Sequence, residues 1–227
     1  MSTDDFSGAG LLSRVADLNV LGILAGTDID PQILTEWALS ADVVLAADGA
    51  ANRLLAAGIR PDAIVGDLDS LDPVIERANL VLVYDEDQET TDCDKLLAYM
   101  GNRFAGNQLS LTGIEGDRFD HVIASVHSYS KFEHKCRLVL RDGFAWCLRP
   151  CSEMHLATVP GQTVSILPIL PCSGLNVSGL RWQPRPILTP GGSTSISNEA
   201  TGTEVSLTLL EGTALVTLQA DIRIPAW

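Results

Sequence analysis

Residues 43–70 read VVLAADGAANRLLAAGIRPDAIVGDLDS, and this stretch decides the fold class. Two apolar runs, 43–47 and 63–65, flank a small-residue segment at 49–57 that suits a helix. Short apolar runs of this kind fit strands that are buried on both faces of a parallel sheet. Aspartates follow each run, so the pattern predicts a strand, a helix and a strand with acidic side chains at the carboxyl ends of the strands.

The same alternation continues on both sides of this stretch. Further strands are predicted at 19–25, 80–83 and 109–111, and further helices at 31–39, from Asp72-Pro73 onward, at 92–104 and at 121–132. Strands that alternate with helices indicate a parallel sheet covered by helices. We therefore predict an α/β/α domain over residues 19–149, preceded by a disordered tail over 1–18 that is acidic and rich in small residues.

Helical periodicity stops after the predicted helix at 121–132. The runs 137–141 and 144–148 flank Asp142-Gly143, which is a strong hairpin signal. Apolar or alternating runs divided by proline and glycine follow at 164–170, 175–180, 193–198, 205–210 and 213–219, the last two joined at Glu211-Gly212. This pattern predicts a small all-β, sandwich-like domain over residues 150–227.

The composition is that of an acidic globular protein. The chain has 227 residues and a formal charge of −14, which excludes nucleic acid and anionic membrane surfaces as partners. Five cysteines without a C-x-x-C pair, an acidic N-terminus and no apolar run long enough to span a bilayer predict a soluble protein of the reducing cytoplasm. Residues 1–140 hold 23 acids and 10 bases, an excess that either solubilises the surface or holds a divalent cation.

Aspartates after the second and third predicted strands are the first candidates for chemistry. Asp67 and Asp69 place two carboxylates close together, where repulsion raises one pKa unless a cation compensates. Mg²⁺ supplies that compensation, because it prefers carboxylates together with phosphate oxygens and water. Two alternatives stay open: Asp67 and Asp69 also fit a solvated turn, and Asp48 also fits a turn residue that caps a helix.

The segment from Asp85 to Lys95 carries the next candidates. Asp92 and Lys95 are three residues apart on one face of a predicted helix, in the first turn, where the helix dipole and free N–H groups attract phosphate. Thr91 and Asp94 have the spacing of a helix capping pair. The acids at 85–89 fit a solvated loop.

Arg118 follows the fifth predicted strand in a segment that contains glycines. Its guanidinium offers a bidentate fork to phosphate, and Asp120 either caps the next helix or orients Arg118. Together with the aspartates and Lys95, Arg118 predicts a phosphate-transfer site at one edge of the sheet. Such chemistry is catalysed mostly by positioning and charge neutralisation, which needs no activated serine or cysteine.

These motifs resemble the thiamine pyrophosphokinase family in order and in spacing. The resemblance rests on ADGA at 47–50, PDAIVGDLDS at 61–70, DQETTDCDK at 87–95, GDRFDH at 116–121, GLRW at 179–182 and SISNE at 195–199. It implies that a diphosphoryl group passes from ATP to the hydroxyl of thiamine, giving thiamine diphosphate and AMP. It also implies a homodimer whose active site lies between the α/β domain of one subunit and the β domain of the other.

The resemblance implies specific roles for residues at matching positions. Asp67, Asp69 and Asp92 would hold Mg²⁺, with Asp48 nearby, and Asp92 or Asp48 would accept the hydroxyl proton. The remaining implied positions are Ser70, Gln88, Thr91, Lys95, Arg118 and Asp120 for nucleotide and phosphates, and Trp182, Ser197 and Asn198 for thiamine. Two departures from the family pattern are Asp117, where glycine is usual, and Ala25-Gly26, where Asn-Gly is usual.

Three rival functions remain open at this point. The first is diphosphorylation of another small alcohol, such as a hydroxymethyl pterin. The second is a hydrolase of the haloacid dehalogenase type, with Asp67 as nucleophile, Asp69 as acid and Lys95 as partner. The third is a nucleotide-binding module without catalysis.

Overall fold

The computed structural model describes residues 17–25, 29–75, 80–116, 118–225 and 227. These residues form four helices, α1 (Pro31–Ser40), α2 (Asp48–Ala56), α3 (Asp92–Phe104) and α4 (Phe119–Lys131). Asp30 caps α1, whose first residue is Pro31, and Thr91 caps α3 with a reciprocal bond to Asp94. Within the described ranges, no helix combines the length and the apolar composition needed to cross a bilayer.

Six parallel strands form the first part of the main sheet. They are β1 (Asn19–Ile23), β2 (Val43–Ala47), β3 (Ala63–Gly66), β4 (Leu82–Tyr84), β5 (Gln108–Thr112) and β6 (Cys136–Leu140), in the spatial order β6-β5-β1-β2-β3-β4. Their side chains alternate between two cores: Val20 packs into one with α3 and α4, and Leu21 packs into the other with α1 and α2. The predicted three-layer α/β/α arrangement is confirmed.

The antiparallel part continues the same sheet. The hairpin predicted at Asp142-Gly143 joins β6 to β7, and the sheet extends through four strands, β7 (Gly143–Leu148), β13 (Glu211–Gln219), β9 (Thr163–Ser173) and β11 (Ser195–Glu199). A second sheet contains β10 (Asn176–Ser178), β12 (Glu204–Thr208) and β8 (Glu153–Ala157). Apolar residues of both sheets share one core, so the sandwich-like β domain is confirmed.

The structure corrects the sequence prediction at three places. Glu211-Gly212 does not join two paired strands, because β12 and β13 lie in different sheets and Gly212 sits at an irregularity inside β13. Gly212 has φ +93, and a Cβ there would lie 2.2 Å from the Pro171 carbonyl oxygen, so the position requires glycine. Strand β8 was not predicted, and the described residues after Asp72 form a turn as far as Ile75.

Two predictions about organisation remain predictions. The main sheet passes from β6 into β7 and on to β13, so the backbone pairing shows no break near residue 150. The division into domains at that point therefore rests on the change of pattern in the sequence. Of the predicted tail over 1–18, residues 1–16 lie outside the described residues.

Candidate active site

A cavity of about 660 Å³ lies where the parallel strands end. Helices α2 and α3 begin at Asp48 and Asp92, and both of these residues line the cavity, as does Arg118 just before α4. The N-terminus of a helix carries partial positive charge and free N–H groups. Three helix N-termini at one cavity are therefore suited to bind an anion such as phosphate.

Asp48, Asp67 and Asp69 form a cluster in which one carboxylate oxygen from each lies within 4.8 Å of the others. Asp48 follows β2 and Asp67 follows β3, and these strands are neighbours with Ala47 paired to Val65. Adjacent strands of a parallel sheet thus bring their trailing aspartates together. The three carboxylates are referred to below as the aspartate cluster.

Backbone donors fix the positions of these carboxylates. Asp48 Oδ1 accepts a bond from the Gly49 N–H at 2.8 Å, and its Oδ2 accepts one from the Ser70 N–H at 3.4 Å. Asp67 Oδ1 accepts from the Asp69 N–H at 3.3 Å. The Ser70 hydroxyl donates to Asp69 Oδ1 at 3.0 Å, so Ser70 supports two members of the cluster.

The electrostatics of the aspartate cluster differ between its members. Burial raises the pKa of Asp48, which is 1% exposed, and the charges of Asp67 and Asp69 raise it further. The pKa of Asp67 is lowered, first by a hydrogen bond from Gln88 Nε2 at 3.0 Å and then by the Asp69 N–H. None of the ion pairs formed by the described residues involves these three carboxylates. Closely spaced hard oxygen ligands that form no ion pair with a protein cation fit Mg²⁺.

Asp92 is not one of the three carboxylates whose oxygens lie within 4.8 Å of one another, although the charges of all three raise its pKa. The sequence predicted Mg²⁺ ligands at Asp67, Asp69 and Asp92, whereas the structure groups Asp48 with Asp67 and Asp69 and leaves Asp92 outside that group. Asp92 is half-buried in the first turn of α3 and lines the cavity. Burial raises the pKa of its carboxyl, and the charge of Asp48 adds to the increase.

Lys95 brings a buried cation to the same cavity. It is 5% exposed, and its Nζ donates to the Asp85 carbonyl at 3.0 Å. Its charge opposes burial and the neighbouring aspartates at Asp92, where it lowers the pKa, and adds to the hydrogen bonds that lower the pKa of Asp67. Thr91 also lines the cavity, but its hydroxyl and N–H are both bonded to Asp94 in the capping box predicted as an alternative.

Arg118 and Asp120 form an ion pair beside the cavity. Arg118 Nη2 donates to Asp120 Oδ2 at 2.6 Å and Nε donates to Oδ1 at 3.3 Å, so the carboxylate orients the fork. This hydrogen bond raises the pKa of Arg118 and lowers that of Asp120. Both side chains are exposed, so the pair contributes little to stability and leaves Arg118 available to a ligand. Asp117, the departure from the family pattern, lies outside the described residues.

The residues implied to bind thiamine lie in the β domain. Asn198 is 4% exposed and is bonded to both backbone groups of Trp182, accepting from its N–H at 3.1 Å and donating to its carbonyl at 2.6 Å. Trp182 is 54% exposed, and the Ser197 N–H donates to Ser165 Oγ. Among the described residues that line the cavity, Trp182, Ser197 and Asn198 do not occur. The structure of one chain does not bring them to the aspartate cluster.

The sequence reasoning missed several site residues, among them Asn52 and Arg53. Asn52 in α2 donates to the Ser70 carbonyl at 2.8 Å and accepts from the Asp72 N–H at 2.9 Å, which holds the loop that carries Asp67 and Asp69. Arg53 lines the cavity. The available signal was their position one turn after Asp48 on a helix that starts at the site.

Comparison with known proteins identifies the family. A family model for the thiamin pyrophosphokinase catalytic domain matches residues 34–140, and one for the vitamin B1 binding domain of the same family matches residues 152–213. The chain belongs to the thiamine pyrophosphokinase family. Thiamine pyrophosphokinase 1 of Arabidopsis thaliana is 31% identical over 168 residues, which cover 61% of this chain and 63% of that protein. Thiamine pyrophosphokinase 3 of Oryza sativa subsp. japonica is 29% identical, covering 70% and 71%.

Solved structures show the same fold. Thiamine pyrophosphokinase from Bacillus subtilis superimposes with a TM-score of 0.70 and 22% identity, covering 89% of this chain and 99% of that one. The enzyme from Candida albicans gives a TM-score of 0.73 at 18% identity, with 90% of each chain covered. Both parts of the fold, the α/β part and the β part, are thus those of the thiamine pyrophosphokinase family.

The raised pKa of Asp48 predicts a pH-dependent stability. In the folded protein the pKa of this carboxyl lies above its usual value of 3.8. As the pH rises from 3.8 to the raised pKa, the free energy of unfolding therefore falls. Asp48→Asn removes this loss. In urea titrations with EDTA, we expect the midpoint of D48N to exceed that of the wild type by more at pH 7 than at pH 4. Glu89→Gln, at an exposed position, is the control. A difference in midpoint between D48N and the wild type that is the same at pH 7 and at pH 4 would contradict the assignment.

Proposed function

We propose that this chain transfers a diphosphoryl group from ATP to the hydroxyl of thiamine, giving thiamine diphosphate and AMP. The observation that carries the proposal is the aspartate cluster, two of whose members, Asp48 and Asp67, line the same cavity as the buried Lys95, in a chain of the thiamine pyrophosphokinase family. Thiamine and ATP are the proposed substrates, and Mg²⁺ is the proposed metal. The net charge of −14 supports the absence of nucleic acid as a partner.

The cavity supplies groups that bind and neutralise a triphosphate. When bound at Asp48, Asp67 and Asp69, Mg²⁺ supplies positive charge that offsets the phosphate oxygens. Lys95 offers its ammonium from a buried position, where a charge interacts more strongly than in water. Arg118 offers a guanidinium that Asp120 already orients, and Gln88 keeps Asp67 in place through its amide.

Asp92 is the proposed acceptor of the thiamine hydroxyl proton. It lines the cavity, lies outside the aspartate cluster, and has a raised pKa because of burial and the charge of Asp48. A carboxylate that is more basic than usual accepts a proton more readily, provided that it is ionised at the working pH. Asp48, the other candidate for proton acceptor from the sequence, belongs to the aspartate cluster and accepts hydrogen bonds from the N–H groups of Gly49 and Ser70.

The thiamine side of the site is proposed to come from a second copy of the chain. Trp182 is 54% exposed, and the Arg181 guanidinium carbon lies 4.9 Å from its ring centre, so the ring binds cations and suits the thiazolium of thiamine. Because Trp182 does not line the cavity of its own chain, we propose a homodimer in which the β domain of each copy faces the α/β part of the other. The free thiols of the five cysteines, which all lie within the described residues, support the proposed cytoplasmic location.

Mixing two inactive variants tests the shared site. Asp67→Asn removes the phosphate half of one site, and Trp182→Ala removes the thiamine half of another. After unfolding and refolding together in equal amounts, we expect about a quarter of the wild-type rate, because half of the dimers are mixed and each has one intact site. The control mixture of Asp67→Asn with Asp92→Asn has both lesions in the same half and is expected to stay inactive. Equal rates in the two mixtures would contradict the shared site.

Product analysis tests the proposed reaction itself. The purified protein is incubated with Mg²⁺, ATP and thiamine, and the products are separated by chromatography. Thiamine diphosphate and AMP in equal amounts are the expected products. ADP with thiamine monophosphate would contradict diphosphoryl transfer. Release of phosphate without an acceptor would favour the hydrolase. If a hydroxymethyl pterin supplied in place of thiamine were converted and thiamine were not, the pterin would be favoured as the acceptor alcohol.

A further inference from the structure

Arg137 places a cation at the opposite end of the sheet from the aspartate cluster. It lies in β6, next to Ser110 of β5 in the parallel register. Its guanidinium carbon lies 4.7 Å from the ring centre of Phe144, 5.2 Å from that of Trp37 and 5.9 Å from that of Trp227. Three aromatic rings thus hold the side chain in one position, with its charge among apolar groups.

The guanidinium has few polar partners. Nη2 donates to Ser110 Oγ at 3.1 Å, while Nε is buried and has no hydrogen-bond acceptor. Among the ion pairs formed by the described residues, none includes Arg137. Burial lowers the pKa of Arg137. The neighbouring Cys136 does not supply an anion, because burial raises the pKa of its thiol. A charged group with unmet hydrogen-bonding capacity is costly to bury without a partner.

A second cavity, of about 590 Å³, is lined by Arg137, Trp146 and Trp227. It opens at the start of β5 and β6, where Gln108 and Cys136 line it, whereas Gly113 after β5 lines the cavity of the aspartate cluster. The volume is within the range of small-molecule sites, which are mostly apolar with a few polar groups that orient the ligand. The basic side chains that line it are Lys135, Arg137 and Arg149, against the acids Glu133 and Glu153.

Arg149 is already engaged, unlike Arg137. Its Nη1 donates to the Ser130 carbonyl at 2.7 Å and its Nη2 donates to the Phe132 carbonyl. Glu153 is paired with His155 Nε2 at 3.2 Å. Among the described residues that line this cavity, Arg137 is the cation that packs against aromatic rings.

We propose that this cavity binds a small organic carboxylate, whose anionic group pairs with Arg137 and whose aromatic body packs against Trp146 and Trp227. A planar carboxylate matches the geometry of a guanidinium, and a single charge suits a single available fork. This site is separate from the proposed diphosphoryl transfer, and its occupancy requires neither ATP nor thiamine.

Indole-3-acetate and its uncharged amide, indole-3-acetamide, test the proposal by calorimetric titration of the full chain. We expect indole-3-acetate to bind with a dissociation constant below about 1 mM, and the amide to bind at least about tenfold more weakly. Arg137→Gln is expected to weaken binding of the acid by at least about tenfold. The matched change Arg118→Gln, in the other cavity, is expected to leave that binding unchanged.

A crystal of the wild-type protein with 5-bromoindole-3-acetate tests the location without any substitution, in case Arg137→Gln does not fold. The expected anomalous bromine peak lies in the cavity lined by Trp146 and Trp227, with the carboxylate at Arg137. Equal affinities for acid and amide, binding that survives in R137Q, a bromine peak elsewhere, or no binding at several millimolar would each overturn the proposal.

Discussion

Asp67→Asn is expected to lower kcat for thiamine diphosphate formation by about a thousandfold, which is the scale for loss of one charge-stabilising group. Asp67 contributes two of the contacts that organise the site, with Gln88 and with the Asp69 N–H, and it is one of three carboxylates whose oxygens lie within 4.8 Å of one another. Asparagine keeps the size and the hydrogen-bond acceptor but removes the charge. A metal contact that strengthens as charge develops on the phosphates acts mainly on kcat.

The fold is expected to tolerate Asp67→Asn. The side chain is partly exposed, and asparagine keeps an oxygen that accepts hydrogen bonds from Gln88 and from the Asp69 N–H, so loss of the charge, whose pKa the fold lowers, costs only a small part of the stability. Steady-state kinetics and urea titration measure the two effects separately. Glu89→Gln removes the same charge from an exposed position in the neighbouring loop and is expected to leave kcat unchanged. An active D67N variant, or one that loses activity because it unfolds, would contradict the assigned role.

Asp92→Asn is expected to lower kcat by about a hundredfold to ten-thousandfold, which is the range for loss of a positioned general base. The KM values for ATP and thiamine are expected to change much less, because Asp92 lies outside the aspartate cluster. The pKa of Asp92 is raised, so kcat of the wild type falls as pH is lowered through that raised value and the carboxylate becomes protonated. The D92N variant is expected to lack this acidic limb.

The pH profile separates the proton acceptor from a metal ligand. If Asp92 instead holds Mg²⁺, as the sequence first suggested, D92N would regain rate when the Mg²⁺ concentration is increased. A D92N variant that keeps the acidic limb, or that responds to added Mg²⁺, would contradict the proposed proton transfer. Glu89→Gln again serves as the control for a change in net charge.

The sequence predicted most of the α/β part because each signal there is local. Apolar runs mark the buried strands, and Asp30 with Pro31 and Thr91 with Asp94 mark the starts of α1 and α3. The course of the β part depends on pairing between distant segments. Glu211-Gly212 has the composition of a turn, yet the contact of Gly212 with Pro171 belongs to an irregularity inside β13. No local sequence pattern distinguishes a turn between two paired strands from an irregularity inside one strand.

The membership of the aspartate cluster also required the structure. The sequence places aspartates after several strands but does not show which strands are neighbours at the site. Pairing of β2 with β3 brings Asp48 beside Asp67, while Asp92 at the start of α3 is not one of the three grouped carboxylates. The single-chain structure likewise shows that Trp182 does not line the cavity, which sequence spacing does not indicate.

Asp48, Asp67 and Asp69 are proposed to hold together the divalent cation on which the proposed reaction depends. Diffraction from crystals grown with Mn²⁺ and a non-hydrolysable ATP analogue tests it most directly, because manganese gives an anomalous signal that locates the ion. We expect a peak among the three carboxylates, with the triphosphate directed toward Lys95 and Arg118. A peak at the acidic loop of residues 85–89, or no peak with the nucleotide bound in the cavity, would contradict it.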